Sequence, residues 1–281
     1  VGRNYRVAGG VATLGGVSIH TGTIPSKTLR EAVIYLTGFH QRTFYGHTYS
    51  VNDNITMSDL MLRAEHVIQH EIETAKQHLL KNGIEVLGGE ASFVDAHTVA
   101  VAEAGGSRSL VSADKILIAT GSEAAHNPGI PFDDKRVLIS DDLLRLPEVP
   151  GSLAIIGAGI IGTEYAGVFA TLGIPVTLID RRSQLLPFVD REIGETLERH
   201  LAQHGVALCL NEDVAAIDTA SPDYVEVRLV SGKAVRAEAV LVSVGRVGAT
   251  AALDLAAAGL QADERGRIPV NAHFQTAVPH I

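Results

Sequence analysis

The stretch from Leu153 to Arg182, LAIIGAGIIGTEYAGVFATLGIPVTLIDRR, constrains the fold more than any other part of the chain. Ala154, Ile155 and Ile156 form an apolar run suited to a buried parallel strand, and Gly157-Ala-Gly159-Ile-Ile-Gly162 then turns the chain into a helix. Val176 to Ile179 supplies the next strand, closed by Asp180. Each glycine has its own task. Gly157 permits the tight turn, Gly159 lets the backbone approach a pyrophosphate, and Gly162 brings helix against strand. The helix N-terminus offers N–H groups and the positive end of its dipole to an anion, and Asp180 is placed to accept hydrogen bonds from a ribose. Strand, turn, helix, strand and acid in register predict a dinucleotide-binding unit.

The flanking sequence extends this into an α/β architecture. A helical pattern from Asp190 to His204 leads to an apolar strand at Val206 to Leu210, and right-handed crossovers then predict a parallel sheet. Tyr224 to Val230 and Ala239 to Gly245 are expected to extend that sheet. Upstream, the glycine-rich loop at Gly15 and Gly16 feeds a helix starting near Pro25, with Leu29, Val33 and Leu36 on one face. A longer helix is predicted from Ser58 to Lys81, ended by Asn82-Gly83. Short strands at Ile84 to Leu87, His97 to Val101 and Ser109 to Val111 suggest a meander, and Lys115 to Ser122 reads as a buried strand breaking at Thr120-Gly121. The proline-bearing segment 127–150 reads as a linker, and 267–281 as holding one more short strand.

Composition removes several classes of function. A net charge of -9 with 5% aromatic residues, and no cluster of Lys and Arg beside stacking rings, argues against nucleic acid as a partner. No apolar run is long enough to span a bilayer and no signal-peptide layout is present, so no membrane partner is expected and the cytoplasm is the default location. The single cysteine, Cys209, rules out an intramolecular disulfide and reads as a strand thiol. No histidines combine an HxxxH pair with a third ligand, so no metal is expected.

Four segments, GGVSIHTGTIPSK from Gly15, ILIATGS from Ile116, GAGIIGTE from Gly157 and VLVSVGR from Val240, carry a resemblance that covers nearly the whole chain. In order and rough spacing they resemble the flavin-dependent pyridine nucleotide-disulfide oxidoreductase family, and Thr23 to Lys27 most resembles its transhydrogenase branch. The resemblance implies two Rossmann-like nucleotide-binding domains, one for FAD and one for NAD(P). It places a redox cysteine pair at Ser18 and Thr23, where this chain has hydroxyls that form neither a thiolate nor a disulfide. What it then implies is FAD-mediated hydride transfer between NADPH and NAD, with Lys27 beside the flavin and paired to Glu164. The candidate cofactor-binding residues are Gly15, Gly16, Ser18, Thr23, Thr120, Gly121, Gly157, Gly159, Gly162, Asp180, Arg181 and Gly245. His20 is either a flavin neighbour or a turn residue.

The chain begins after the place of the family's first GxGxxG and ends before its Gly-Asp strand end and dimerisation domain. The expectation is therefore a partial FAD-binding domain over 1–144, an NAD(P)-binding domain over 145–248, and a return segment over 249–281. A homo-oligomeric parent is implied, as is a chain without the dimerisation domain. Asp180 beside Arg181 suggests a site that accepts both NAD and NADP, an acid for the ribose and a guanidinium for the 2′-phosphate. Two other readings compete: an NAD(P)H dehydrogenase passing electrons to a quinone or dye, and a non-catalytic nucleotide-binding fragment.

Overall fold

The computed structural model describes residues 5–7, 11–45, 55–103 and 105–281. The first elements in chain order are β1 (Tyr5–Val7), β2 (Val11–Thr13), α1 (Gly16–His20), α2 (Thr23–Leu36), α3 (Phe39–Tyr45) and α4 (Met57–Lys81). Next come β3 (Glu90–Phe93), β4 (Thr98–Ala102), β5 (Arg108–Ser112), β6 (Ser122–Ala124), β7 (Val137–Leu138) and α5 (Ser140–Leu143). The dinucleotide stretch supplies β8 (Leu153–Ile156), α6 (Ile160–Thr171) and β9 (Val176–Asp180), followed by α7 (Arg191–Gln203) and β10 (Val206–Leu210). The chain then forms β11 (Val214–Asp218), β12 (Val225–Leu229), β13 (Ala234–Ala237), β14 (Ala239–Val242) and β15 (Arg246–Gly248).

Two compact units emerge, and neither is continuous in sequence. One comprises the described residues of Val1–Ile24, Val67–Glu123 and Arg246–Ile281; the other those of Pro25–His66 and Ala124–Gly245. These units cut across the sequential segments 1–144, 145–248 and 249–281. The reason is burial: Leu29, Val33, Met57, Leu60 and Ala64 join the same core as Tyr165 and Phe169.

The unit built on Pro25–His66 and Ala124–Gly245 is organised by a five-stranded sheet in the order β10-β9-β8-β14-β7, every pair parallel. Side chains alternate across it. Leu153, Ile155, Leu178 and Leu241 pack into the core shared with α2, α4, α6 and Leu201 of α7, whereas Ala154, Ile156, Ile179, Val240 and Val242 pack against β12. Strands buried on both faces need apolar residues at every position, which is why β8 and β14 read as continuous runs. The expected helix over 190–204 is α7, and α4 begins one residue before its expected start. A reciprocal cap opens α4: the Thr56 hydroxyl accepts from the Asp59 N–H at 3.1 Å, and the Asp59 carboxylate accepts from the Thr56 N–H at 2.9 Å.

Several expectations are corrected. Tyr224 to Val230 does not extend the parallel sheet; β12 is the middle strand of an antiparallel sheet β11-β12-β13. Its alternation, with Val225, Val227 and Leu229 buried and Arg228 exposed, suits a sheet wet on one face. The segment 127–150 is no mere linker, since β7 and α5 lie within it and Val137, Leu138 and Leu143 are fully buried.

The other unit contains the antiparallel meander β3-β4-β5, with its core at Phe93, Val99, Leu253, Leu260 and Ile281. The first strand of the meander is 90–93 rather than 84–87. Lys115 to Ser122 forms no buried strand before β6: Leu117 is 84% exposed, and the Ile116 N–H donates to the carbonyl of His280 at 3.0 Å without a ladder continuing beyond it. An apolar run becomes a strand only where another strand takes up its backbone groups. Residues 267–281 likewise form turns instead of a strand.

Candidate functional site

The nucleotide turn sits where the strand order of the parallel sheet changes direction. From β8 the chain crosses through α6 to β9 on one side, while β14 lies on the other, so a crevice opens beyond the C-terminal ends of β8 and β14. A cleft of about 730 Å³ occupies that place, lined among others by Gly157, Gly159, Asp180, Arg181, Ser243 and Gly245.

The three glycines answer to different physical demands. Gly157 has φ 104°, and a Cβ there would lie 2.6 Å from the carbonyl oxygen of Ser243. A Cβ on Gly162 would lie 1.9 Å from the carbonyl oxygen of Gly157 and 2.7 Å from the Ser243 hydroxyl, so α6 touches the end of β8. Gly159, which caps α6, has φ -79° and ψ -171°, open to any residue, and nothing lies within 4 Å of where its Cβ would be. Neither backbone nor packing asks for glycine there. Ser243, unnoticed in the sequence, locks the turn by donating its hydroxyl to the carbonyls of Gly157 at 2.9 Å and Ile156 at 3.2 Å.

At the far end of the cleft Asp180 is 6% exposed. Burial alone pushes its carboxyl up, but the Arg182 side chain and the N–H groups of Arg182 and Ala158 outweigh that and hold it below its ordinary value. Arg182 forks onto it, with Nε at 2.9 Å and Nη2 at 2.7 Å, while Arg181 is exposed on the cleft. Cys209 of β10 is half-buried, and burial pushes its thiol up.

Lys27 and Glu164, 137 positions apart, form an ion pair: Lys27 Nζ donates to Glu164 Oε1 at 2.5 Å, with the side chains 57% and 19% exposed. α2 delivers the lysine and the first turns of α6 the glutamate, the two helices meeting through Leu29 and Val33 in the common core. Gly15, Gly16, Ser18 and Thr23 lie on or beside α1 and at the start of α2, and His20 bonds through Nε2 to the carbonyl of Leu14 at 2.7 Å. Thr120 and Gly121 border a separate groove of about 330 Å³ that includes none of those four loop residues. Among the described residues no group of three or more His, Cys, Asp or Glu is placed to hold a metal ion, and no helix is long and apolar enough to cross a membrane.

A family model described as pyridine nucleotide-disulphide oxidoreductase matches residues 8–281. The chain belongs to this family. Among curated relatives, it is 46% identical over 269 residues to the soluble pyridine nucleotide transhydrogenase of Mycobacterium bovis, covering 95% of this chain and 57% of the relative. It is 39% identical over 280 residues to that of Photobacterium profundum, covering 100% and 59%. The chain thus spans less than three-fifths of either relative's length. Among solved structures, LpdA from Mycobacterium tuberculosis matches with a TM-score of 0.85 at 26% identity, over 94% of this chain and 57% of that one. The HOCl-induced flavoprotein disulfide reductase RclA from Escherichia coli matches with a TM-score of 0.80 at 29% identity, over 99% and 59%. Members of this oxidoreductase family use flavin and pyridine nucleotide.

Proposed function

We propose that this chain carries the nicotinamide-nucleotide portion of an FAD-dependent NAD(P)+ transhydrogenase, which passes hydride between NADPH and NAD. Gly159 carries the reading. A residue that neither strains the backbone nor crowds the interior is glycine because something outside the protein comes close, and at the head of α6 that something is a pyrophosphate. Gly157, Gly159, Gly162, Arg181 and Gly245 are assigned to the nucleotide, and Gly15, Gly16, Ser18, Thr23, Thr120 and Gly121 to FAD. When bound, FAD supplies the two-electron relay between the nucleotides. Lys27, held by Glu164, is assigned to the flavin ring, where its ammonium balances negative charge. With hydroxyls at Ser18 and Thr23, no dithiol is available to draw electrons away from the nucleotides.

The names of the relatives support the same activity for the full-length protein, and the word soluble in them supports a cytoplasmic location. A homo-oligomeric full-length protein belongs to the same reading, carried by the family resemblance. Fluorescence titration of the chain with NADH and NADPH at fixed ionic strength tests it. Both should bind, with affinities within about a hundredfold, or about 2.7 kcal/mol. A wider gap refutes dual use, and failure of both to bind refutes the site. In the full-length protein, transfer of hydride from NADPH to NAD separates a transhydrogenase from a dehydrogenase that reduces a quinone or dye.

A further inference from the structure

We propose that Asp180, although it stands at the position of a ribose-binding acid, does not hold the ribose, and that Arg182 is the positioning residue that opens this end of the cleft to 2′-phosphorylated nucleotide. The inference rests on the nucleotide-site reading above.

An ionised carboxylate offers about four acceptor sites. Those of Asp180 are filled from within the protein. Oδ1 accepts from the Arg182 backbone N–H at 2.8 Å and from Arg182 Nε at 2.9 Å. Oδ2 accepts from the Ala158 backbone N–H at 2.6 Å and from Arg182 Nη2 at 2.7 Å. The Asp180 side chain is 5% exposed and that of Arg182 40%. A ribose hydroxyl seeking Asp180 would have to displace a bond of a forked, charge-assisted pair, which is among the stronger kinds a protein makes. Asp180 instead ties the nucleotide turn, through Ala158, to the end of β9.

The charges at this end follow from the fork. Asp180 and Arg182 cancel in place, and Glu212 is paired with Lys233 Nζ at 2.7 Å. Arg181 and Asp213 are left as the exposed charges on the cleft, and Asp213 Oδ1 already accepts from the N–H of Val214 at 3.0 Å. A 2′-phosphate therefore meets a guanidinium with five donors and no unpaired Asp180 carboxylate, whereas a 2′-hydroxyl finds no acid acceptor at Asp180.

The test is fluorescence titration of the chain and three variants with NADH and NADPH, alongside thermal melting. Asp180→Asn keeps an acceptor for Ala158 and releases Arg182, so NADH affinity should stay within about threefold while NADPH binds more tightly. Arg182→Ala turns an unpaired carboxylate toward the cleft, so NADPH affinity should fall at least about tenfold relative to NADH. Arg182→Lys, which keeps the charge without the fork, should fall between, and it decides the matter with Asp180→Asn if Arg182→Ala does not fold. Loss of more than about tenfold in NADH affinity in Asp180→Asn, with the melting temperature kept, would make Asp180 the ribose acceptor and overturn the inference. So would an unchanged NADPH to NADH ratio in the Arg182 variants. Failure of the unaltered chain to bind either nucleotide removes the nucleotide site itself, a result distinct from binding with an unmoved ratio.

Discussion

Substituting alanine at Gly162 and at Gly159 should separate what the glycine turn owes to packing from what it owes to ligand. At Gly162 the new Cβ lies 1.9 Å from the carbonyl oxygen of Gly157, far inside van der Waals contact, so the helix and strand must part to admit it. The obstacle is backbone, fixed by the sheet and by Ser243, so no rotamer relieves it. Overpacking costs about 1–3 kcal/mol, and a clash of this kind belongs at the upper end. Exchanging glycine for alanine in a helix returns about 1 kcal/mol. The net, about 2 kcal/mol, corresponds to a fall of about 4–8 °C in melting temperature. At Gly159 the Cβ meets nothing and the backbone is unstrained, so the gain of about 0.4–1 kcal/mol from a stiffer unfolded chain is offset by alanine being a poorer N-cap than glycine, and Gly159→Ala should melt close to the parent. Its methyl group stands in the cleft, however, and NADH affinity should fall at least about tenfold. Calorimetric melting with NADH titration reads both effects. A Gly162→Ala variant melting within about 1 °C of the parent would refute the packing argument. Unimpaired NADH binding by Gly159→Ala would remove the observation on which the proposed function stands.

Because Lys27 is more than half exposed, Lys27→Met should cost at most about 1 kcal/mol and leave NADH affinity unchanged, while slowing flavin reduction in the full-length protein. Equal loss in stopped-flow reduction rate and NADH affinity would contradict its assignment. The folded carboxyl of Asp180 titrates below its ordinary value, so its stabilisation is complete above the unfolded value near pH ~3.9 and is lost as pH falls through the folded one. Asp180→Asn should accordingly flatten the acid limb of the melting temperature against pH, and an unchanged limb would show that the pair adds no pH-dependent stability. Thr56→Ala removes the hydroxyl half of the reciprocal cap of α4, and hydrogen exchange in its first turn should show a loss of about 1 kcal/mol; unchanged protection would mean that the hydroxyl does not hold that turn.

Local chemistry is enough to specify the dinucleotide unit. The uninterrupted apolar runs of β8 and β14, the glycines at 157, 159 and 162, and the acid at 180 are all legible as a pattern in the sequence. The alternation in β12 is legible too, and its meaning, a strand wet on one face, differs from that of the continuous runs beside it. The pairing of Lys27 with Glu164 comes from family resemblance, since nothing between positions 27 and 164 encodes a distance. Three matters belong to the tertiary structure alone. Pro25–His66 shares a unit with α6 because the buried faces of α2 and α4 complete its core, a partnership that amphipathic periodicity announces without naming the partner. Lys115 to Ser122 is apolar enough for a strand, but a strand exists only where neighbouring backbone accepts its hydrogen bonds. And a sequence can place an acid at the end of β9, whereas whether that acid has a lone pair left for a ligand depends on the direction taken by Arg182, which follows from the turn after the strand and the fold around it.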